Sequence, residues 1–275
     1  MLNISMTAQH ENASPAQSVD PLPRGILCAG TKSSASTWLY NVVAEILRHR
    51  SEAEANSYTR VDESRSPVYG NVRQFYADSP RGFSKYDSRV DTLVVQTQQP
   101  SVALSALAAC PRFQVVMTIR EPRDAVASLM KRFDFSFSGA FKAVVEGDAR
   151  IVELFRRSAP LVLRFEDRFY EREVTIVAVA EFLGIDLPAM LVREIFNALT
   201  RESVAKKIES MRQSGVLDEL VSPTRHDPQT RWRLGHVGEI AIGQHSEFLS
   251  CEQQLVVLTA TAEYCAEFGY PVELM

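Results

Sequence analysis

The chain has 275 residues, 45% of them hydrophobic and 23% charged, with a net charge of −4. Its size suits one large domain with a sizeable core, and its charge balance excludes the broad basic face that general nucleic-acid binding needs. No apolar run approaches the ~18 residues of a membrane span. Residues 1–23 are polar, acidic and proline-dotted, without the apolar core of a signal peptide. That tail is expected to be disordered, residues 24–275 to form the folded domain, and the protein to be cytoplasmic.

In chain order, an apolar run over 25–29 reads as a strand and 37–49 as a helix. Residues 51–90 are polar, with Pro67, Gly70, Pro80 and Gly82 as breakers. Leu93, Val94 and Val95 form a short buried strand, and 101–109 a helix closed off before Pro111. Phe113–Ile119 is nearly continuous in apolar residues, as a central parallel strand should be. Pro122 sits near the first turn of a helix over 123–132. Residues 134–159 read as a Phe-bearing loop and then a helix over 147–157, followed by a strand, Leu161–Phe165. Helices are expected over 171–184, 188–199 and 201–213, and a loop over 222–245. The last helix, near 250–268, offers Leu255, Val256, Leu258, Ala262 and Cys265 as its buried face. Strands alternating with helices imply a parallel sheet that binds ligands at its carboxyl edge. Cys28, Cys110, Cys251 and Cys265 lack C-x-x-C spacing and sit in apolar contexts, so they read as buried free thiols.

Three segments carry chemistry. The first is ILCAGTKSSASTWL (26–39), a strand that breaks into small and hydroxylic residues before a helix start. Free backbone N–H groups and the helix dipole converge there, with Lys32 and the hydroxyls of Ser34, Ser36 and Thr37 in reach, which makes an anion cradle. It is not a Walker A loop, because no second glycine follows Gly30 at the required spacing and Lys32 precedes the hydroxyl cluster. By itself it also fits an ordinary Ser/Thr-capped turn. The second is MTIREPRDAVASLMKRF (117–133), where Arg120 ends a strand and Ser128 lies on the next helix. That pair suits a phosphate, although Arg120 paired with Glu121 or Asp124 would explain it equally. The third is TRWRLGHVGE (230–239), in which Arg231 and Arg233 flank Trp232, and Gly235 and Gly238 allow close backbone approach. A basic surface loop is its plain alternative.

Taken in this order, the three segments resemble the sulfotransferases that use 3′-phosphoadenosine 5′-phosphosulfate (PAPS). TKSSASTWL is similar to that family's P-K-S-G-T-T-W-L loop, REPRDAVAS to R-N-P-x-D-x-x-x-S, and RLGHVGE to R-K-G-x-x-G-D. LVLRFED (161–167) with VAEFLGI (179–185) is similar to its Y-E-D strand and following helix. The resemblance spans about residues 24 to 243. It implies a P-loop-like three-layer α/β/α fold with a central parallel sheet, PAPS as donor and PAP as product, a small-molecule or carbohydrate acceptor, and no metal, and it allows a homodimer. It places Lys32, Ser33, Ser34, Ala35, Ser36, Thr37 and Trp38 at the 5′-phosphosulfate. Arg120, Ser128, Arg233, Leu234 and Gly235 fall at the 3′-phosphate, and Phe165 beside Trp38 near the adenine.

Two departures follow from the same alignment. Aligned from Trp38, the family lysine falls at Ser33 and its glycine at Ala35, so Lys32 is displaced by one. The family's K-T-H, whose His is the general base, is Gln96, Thr97 and Gln98 here. A carboxamide cannot take a proton at neutral pH, so Gln98 can orient an acceptor hydroxyl without deprotonating it. Lys32 and Gln98 are the catalytic candidates, and Glu63, Asp62 and His236 are the remaining candidates for a base. Two competing readings are a non-catalytic PAPS- or PAP-binding protein and a small-molecule kinase, the latter disfavoured without a Walker A loop. Residues 51–90 and 134–148 are expected to border the acceptor pocket, with Tyr58, Tyr69, Phe75, Tyr76, Phe83, Tyr86, Phe133, Phe135, Phe137 and Phe141 among them.

Overall fold

Apolar runs buried on both faces can persist only in the middle of a layered structure, and β1 (Arg24–Gly30), β5 (Thr92–Thr97) and β6 (Phe113–Ile119) are such strands. The computed structural model describes residues 24–55, 59–61, 67–69, 72–76, 92–217, 226–227, 229–238 and 242–273. The tail expected over 1–23, and Tyr58, Asp62, Glu63, Phe83 and Tyr86, lie outside the described residues. With β2 (Thr59–Val61), β3 (Pro67–Tyr69), β4 (Val72–Tyr76) and β7 (Leu161–Arg164), the strands form one sheet in the order β2-β3-β4-β5-β1-β6-β7. Strands β4, β5, β1, β6 and β7 run parallel, with Cys28 between Gln96 and Val116, while β2 and β3 add an antiparallel edge. That edge lies in the polar stretch after residue 50, where breakers had pointed only to loops.

The helices are α1 (Ser36–Ala55), α2 (Val102–Ala108), α3 (Pro122–Phe133), α4 (Phe137–Arg157), α5 (Glu173–Phe182), α6 (Ala189–Ala198), α7 (Arg201–Gln213), α8 (His245–Phe248), α9 (Cys251–Ala260) and α10 (Ala262–Phe268). The two-residue period of the strands divides them between the two faces. Ile26, Cys28, Val94 and Val116 pack with residues of α1, α5, α6 and α7. Leu27, Ala29, Val95, Val115, Met117 and Ile119 pack with residues of α2, α4 and α10. The result is a three-layer α/β/α domain. Adjacent β1 and β6 send their following helices to opposite faces, which opens a crevice at their carboxyl ends. Among the described residues no helix is long and apolar enough to cross a membrane.

Two helices depart from expectation. Helix α4 begins at Phe137, not near 147, because Ser136 caps it by accepting a bond from Gly139 N. The phenylalanines that suggested a loop are its apolar face, Phe137, Phe141 and Val144 at helical spacing, packed with residues of α3. The expected last helix breaks at Thr261 into α9 and α10. Its buried arc runs through Val257, Leu258, Thr261, Tyr264, Cys265 and Phe268, which leaves Leu255 52% and Val256 44% exposed, and Ala262 exposed as well. The thiols divide too: Cys28 and Cys265 are buried, but Cys251 is exposed and Cys110 half-buried.

Inside α4, Asp148 is buried with neither carboxyl oxygen hydrogen-bonded. Burial, helped by nearby Glu121, pushes its carboxyl well above the usual range. Below that range both folded and unfolded chains carry the proton. As pH rises the unfolded chain releases it first, so the native state loses stability. Asp148→Asn should therefore raise the melting temperature at neutral pH by an amount equivalent to about 1 kcal/mol, and the gain should shrink on acidification. Melting curves from pH 4 to 8 check this.

Candidate functional site

The crevice is shaped first by the turn that leaves β1. A Cβ on Gly30 would lie 2.2 Å from Thr118 Oγ1 and 2.6 Å from Ser36 Cβ, so only glycine lets the turn close onto β6. Thr31 N donates to Thr118 O at 3.0 Å, and Ser34 Oγ lies 2.7 Å from Thr118 Oγ1. Within the turn Ser33 and Ala35 take φ of 57° and 63°. This left-handed conformation is strained for residues bearing a Cβ, and it turns the loop around the start of α1.

Lys32 and Gln98 meet. Lys32 Nζ donates to Gln98 Oε1 at 3.1 Å, and Gln98 Nε2 donates to Ser36 Oγ at 3.1 Å. Two residues earlier on β5, Gln96 Nε2 donates to Thr37 Oγ1 at 3.0 Å. The carboxamides at the end of β5 thereby brace the turn and hold the ammonium over it.

At the end of β6, Arg120 is buried and its Nη1 donates to Ser33 O at 2.9 Å, while its guanidinium lies 4.1 Å from the centre of the Phe165 ring. Tyr264 fixes the Arg120 backbone, with its hydroxyl donating to Arg120 O and accepting from Arg120 N. Arg123 Nε donates to Glu121 Oε1 at 2.6 Å, and while burial lowers Arg120, nearby Asp124, Glu166 and Glu121 favour its charged form. Glu121 also caps α3 by accepting from Asp124 N. Asp124 accepts from Gly243 N, His245 N and His245 Nδ1, which ties the segment before α8 to the start of α3. Glu121, Asp124 and His245 come within 4.8 Å of one another, but both carboxylates are already met by these donors, so they serve as a structural clasp.

The third segment closes the crevice. Asp227 Oδ2 accepts from Thr230 N and Thr230 Oγ1, and Asn41 Nδ2 on α1 donates to Thr230 O at 2.8 Å. Trp232 is 3% exposed and packs into the core cluster of α1 and α7. Arg233 then lies 3.8 Å from the centre of the Phe133 ring.

A single cavity of about 530 Å³ runs between these parts. Lys32, Ser33, Ser34, Ala35, Ser36, Thr37, Trp38, Gln98, Arg120, Phe165 and Arg233 all line it. Ser128 is buried in α3, Leu234 packs against the core, and Gly235 is exposed, so these three stand behind the lining. Phe133, among the aromatics expected at the acceptor pocket, lines it as well, and so do residues that motif spacing did not reach: Arg132 at the end of α3, Tyr170 in the turn after β7, and Thr200 and Arg201 at the start of α7. Arg132 was findable, since it lies one helical turn after Ser128 on the same face.

The electrostatics of the cavity call for an anion. Burial, reinforced by Arg120, Arg233 and Arg201, pulls Arg132 down to about 10, and burial also lowers Arg233. Arg132 Nε, Arg233 Nε and Ser33 Oγ are buried without hydrogen-bond partners. Burial and the same guanidiniums pull His236 down to about 3. An imidazole held neutral in this way is a weaker proton acceptor than a free one.

Helices that leave β1 and β6 on opposite faces, with a basic crevice between them, define a three-layer α/β protein whose open cavity lies at the carboxyl edge of its sheet. Retinol dehydratase in complex with androsterone and inactive cofactor PAP superposes with a TM-score of 0.54 at 14% identity, over 89% of this chain and 82% of that one. The same enzyme in a complex with retinol and PAP gives 0.55 at 15% identity, over 89% and 82%. Mouse sulfotransferase SULT7A1 complexed with PAP gives 0.56 at 10% identity, over 88% and 84%. The chain is therefore built on the sulfotransferase fold. No protein-family model matches the sequence, and no curated protein sequence does.

Proposed function

We propose that this protein transfers a sulfuryl group from PAPS to a hydroxyl, or an amine, of a small-molecule or carbohydrate acceptor. The observation that carries the reading is the continuity of the cavity. The Lys32 turn, Arg120 and Arg233 line one space, as a donor with phosphates on the 3′ and 5′ positions of one ribose requires. The buried, unpartnered donors of Arg132, Arg233 and Ser33 fit an anionic ligand. PAPS supplies a sulfuryl group activated by its bond to the 5′-phosphate, with PAP as the leaving product.

In this reading Lys32 neutralises charge on the leaving 5′-phosphate, together with the N–H groups of the 33–37 turn. Arg120 and Arg233, with Ser128 behind them, bind the 3′-phosphate and orient the donor from a distance. Trp38 and Phe165 flank the adenine. Gln98 holds the Lys32 ammonium and the Ser36 hydroxyl in place, and it orients an acceptor hydroxyl without removing its proton. An acceptor acidic enough to ionise in water, such as a phenol, suits a site of this kind. The androsterone and retinol of the similar structures favour a small hydroxyl compound over a polymer.

Calorimetry with PAP, ATP and ADP tests the reading. Tight PAP binding beside weak ATP binding is expected, and the reverse order would favour a kinase. Labelled sulfate transfer to a panel of phenols and sugars then separates an enzyme from a protein that only binds PAP, a second reading that Gln98 in place of a base favours.

A further inference from the structure

Resting on that reading, we propose that Arg132 is a further phosphate-binding residue, closing with Arg233 a guanidinium clamp over the cavity. The two guanidiniums share one platform, with Arg132 5.1 Å and Arg233 3.8 Å from the centre of the Phe133 ring. Among the described residues no carboxylate pairs with either of them. Two like charges on one half-buried ring repel each other at low dielectric, so the pair is favourable only with an anion between or beside them.

Arg132 is also built in place. Its Nη2 donates to Gly235 O at 2.9 Å and to His236 O, which orients the guanidinium from the loop side. The loop lies so close that a Cβ on Gly238 would sit 2.8 Å from Arg132 Nε. With Nη2 committed to carbonyls, Nε is left buried without a partner, as is Arg233 Nε. Both residues line the cavity, with Arg120 near enough to lower Arg132 further. Two guanidiniums on one ring, each with donors left over, match a phosphate monoester whose oxygens can accept from both. Carbonyl bonds alone would make Arg132 a loop brace, but they leave its Nε and its charge unanswered.

The test compares PAP with adenosine 5′-phosphate, which lacks the 3′-phosphate, by calorimetry on the full chain. Wild type should prefer PAP. Arg132→Gln should weaken PAP binding by about ten- to hundredfold, the size expected for a lost charge-assisted contact, and change adenosine 5′-phosphate binding less than about threefold. Arg132→Lys, which keeps the charge and loses the planar, carbonyl-anchored guanidinium, should fall between, and melting curves check that each variant is folded. PAP affinity unchanged in Arg132→Gln overturns the proposal. An equal loss for both nucleotides overturns it too, since Arg132 would then only brace the loop. A wild type indifferent to the 3′-phosphate would instead sink the sulfotransferase reading, and the clamp with it.

Discussion

Arg120→Ala is expected to weaken PAP binding by at least about tenfold and to narrow its advantage over adenosine 5′-phosphate. The guanidinium is buried at the end of β6 and its position is over-determined. Tyr264 holds its backbone, Nη1 donates to Ser33 O, and the Phe165 ring lies beneath it. A side chain fixed this way gives up little conformational entropy on binding. Charge-assisted hydrogen bonds contribute ~1.5–3 kcal/mol each, so losing even one predicts a fall of ten- to hundredfold. Arg120 also links β6 to the turn after β1, so a change in loop shape has to be separated from a lost contact. Arg120→Lys keeps the charge but cannot span Ser33 and a ligand together. It should retain part of the affinity if charge matters and none if only the Ser33 bond matters. Calorimetry on both variants checks this, and a loss under threefold in Arg120→Ala would remove Arg120 from the donor site.

Much of this arrangement was legible in the residues. Phe113–Ile119 stood out because a strand buried on both faces has no polar alternation to confuse it, and its observed ends match those read from sequence. The turn after β1 was visible because the residues that cradle anions, small and hydroxylic ones, differ so sharply from the strand before it. Helix α4 was harder. Its apolar stripe is built of phenylalanines, which also occur beneath loops, and only the Ser136 cap distinguishes the two. The buried arc of α9 and α10 was misplaced because Leu255 and Val256 are apolar in composition yet point away from the arc centred on Thr261. Hydrophobicity without phase is a weak guide. Arg132 was missed for a related reason: motif matching stops at Ser128, while the helix carries the same face one turn further. Asp227, Tyr264 and the Asp124–His245 clasp join segments more than a hundred positions apart or brace a loop from within it, contacts that no local pattern encodes.

Lys32→Ala should lower turnover by about a hundred- to a thousandfold, the range found when a preorganised donor to developing charge is removed, while PAP affinity changes far less. The asymmetry follows from where the ammonium sits. Lys32 Nζ is held by Gln98 Oε1, whose amide also bonds Ser36, while Arg132 and Arg233 rest on the Phe133 ring, so their grip on the 3′-phosphate does not depend on the ammonium. Sulfuryl transfer resembles phosphoryl transfer in having a loose transition state, in which charge collects on the leaving oxygen and positioning dominates. A cation there acts on the barrier more than on the ground state. The displacement of this lysine by one position relative to the family loop is bridged by its four-carbon stem and by Gln98, which draws it back over the turn. Gln98→Ala should then reproduce part of the Lys32→Ala defect, because it removes the bond that draws the ammonium over the turn. The double variant should be no worse than Lys32→Ala alone, as residues acting as one unit are not additive. Single-turnover transfer rates in the three variants decide it: independent, multiplying losses would show that Gln98 serves the acceptor and not Lys32.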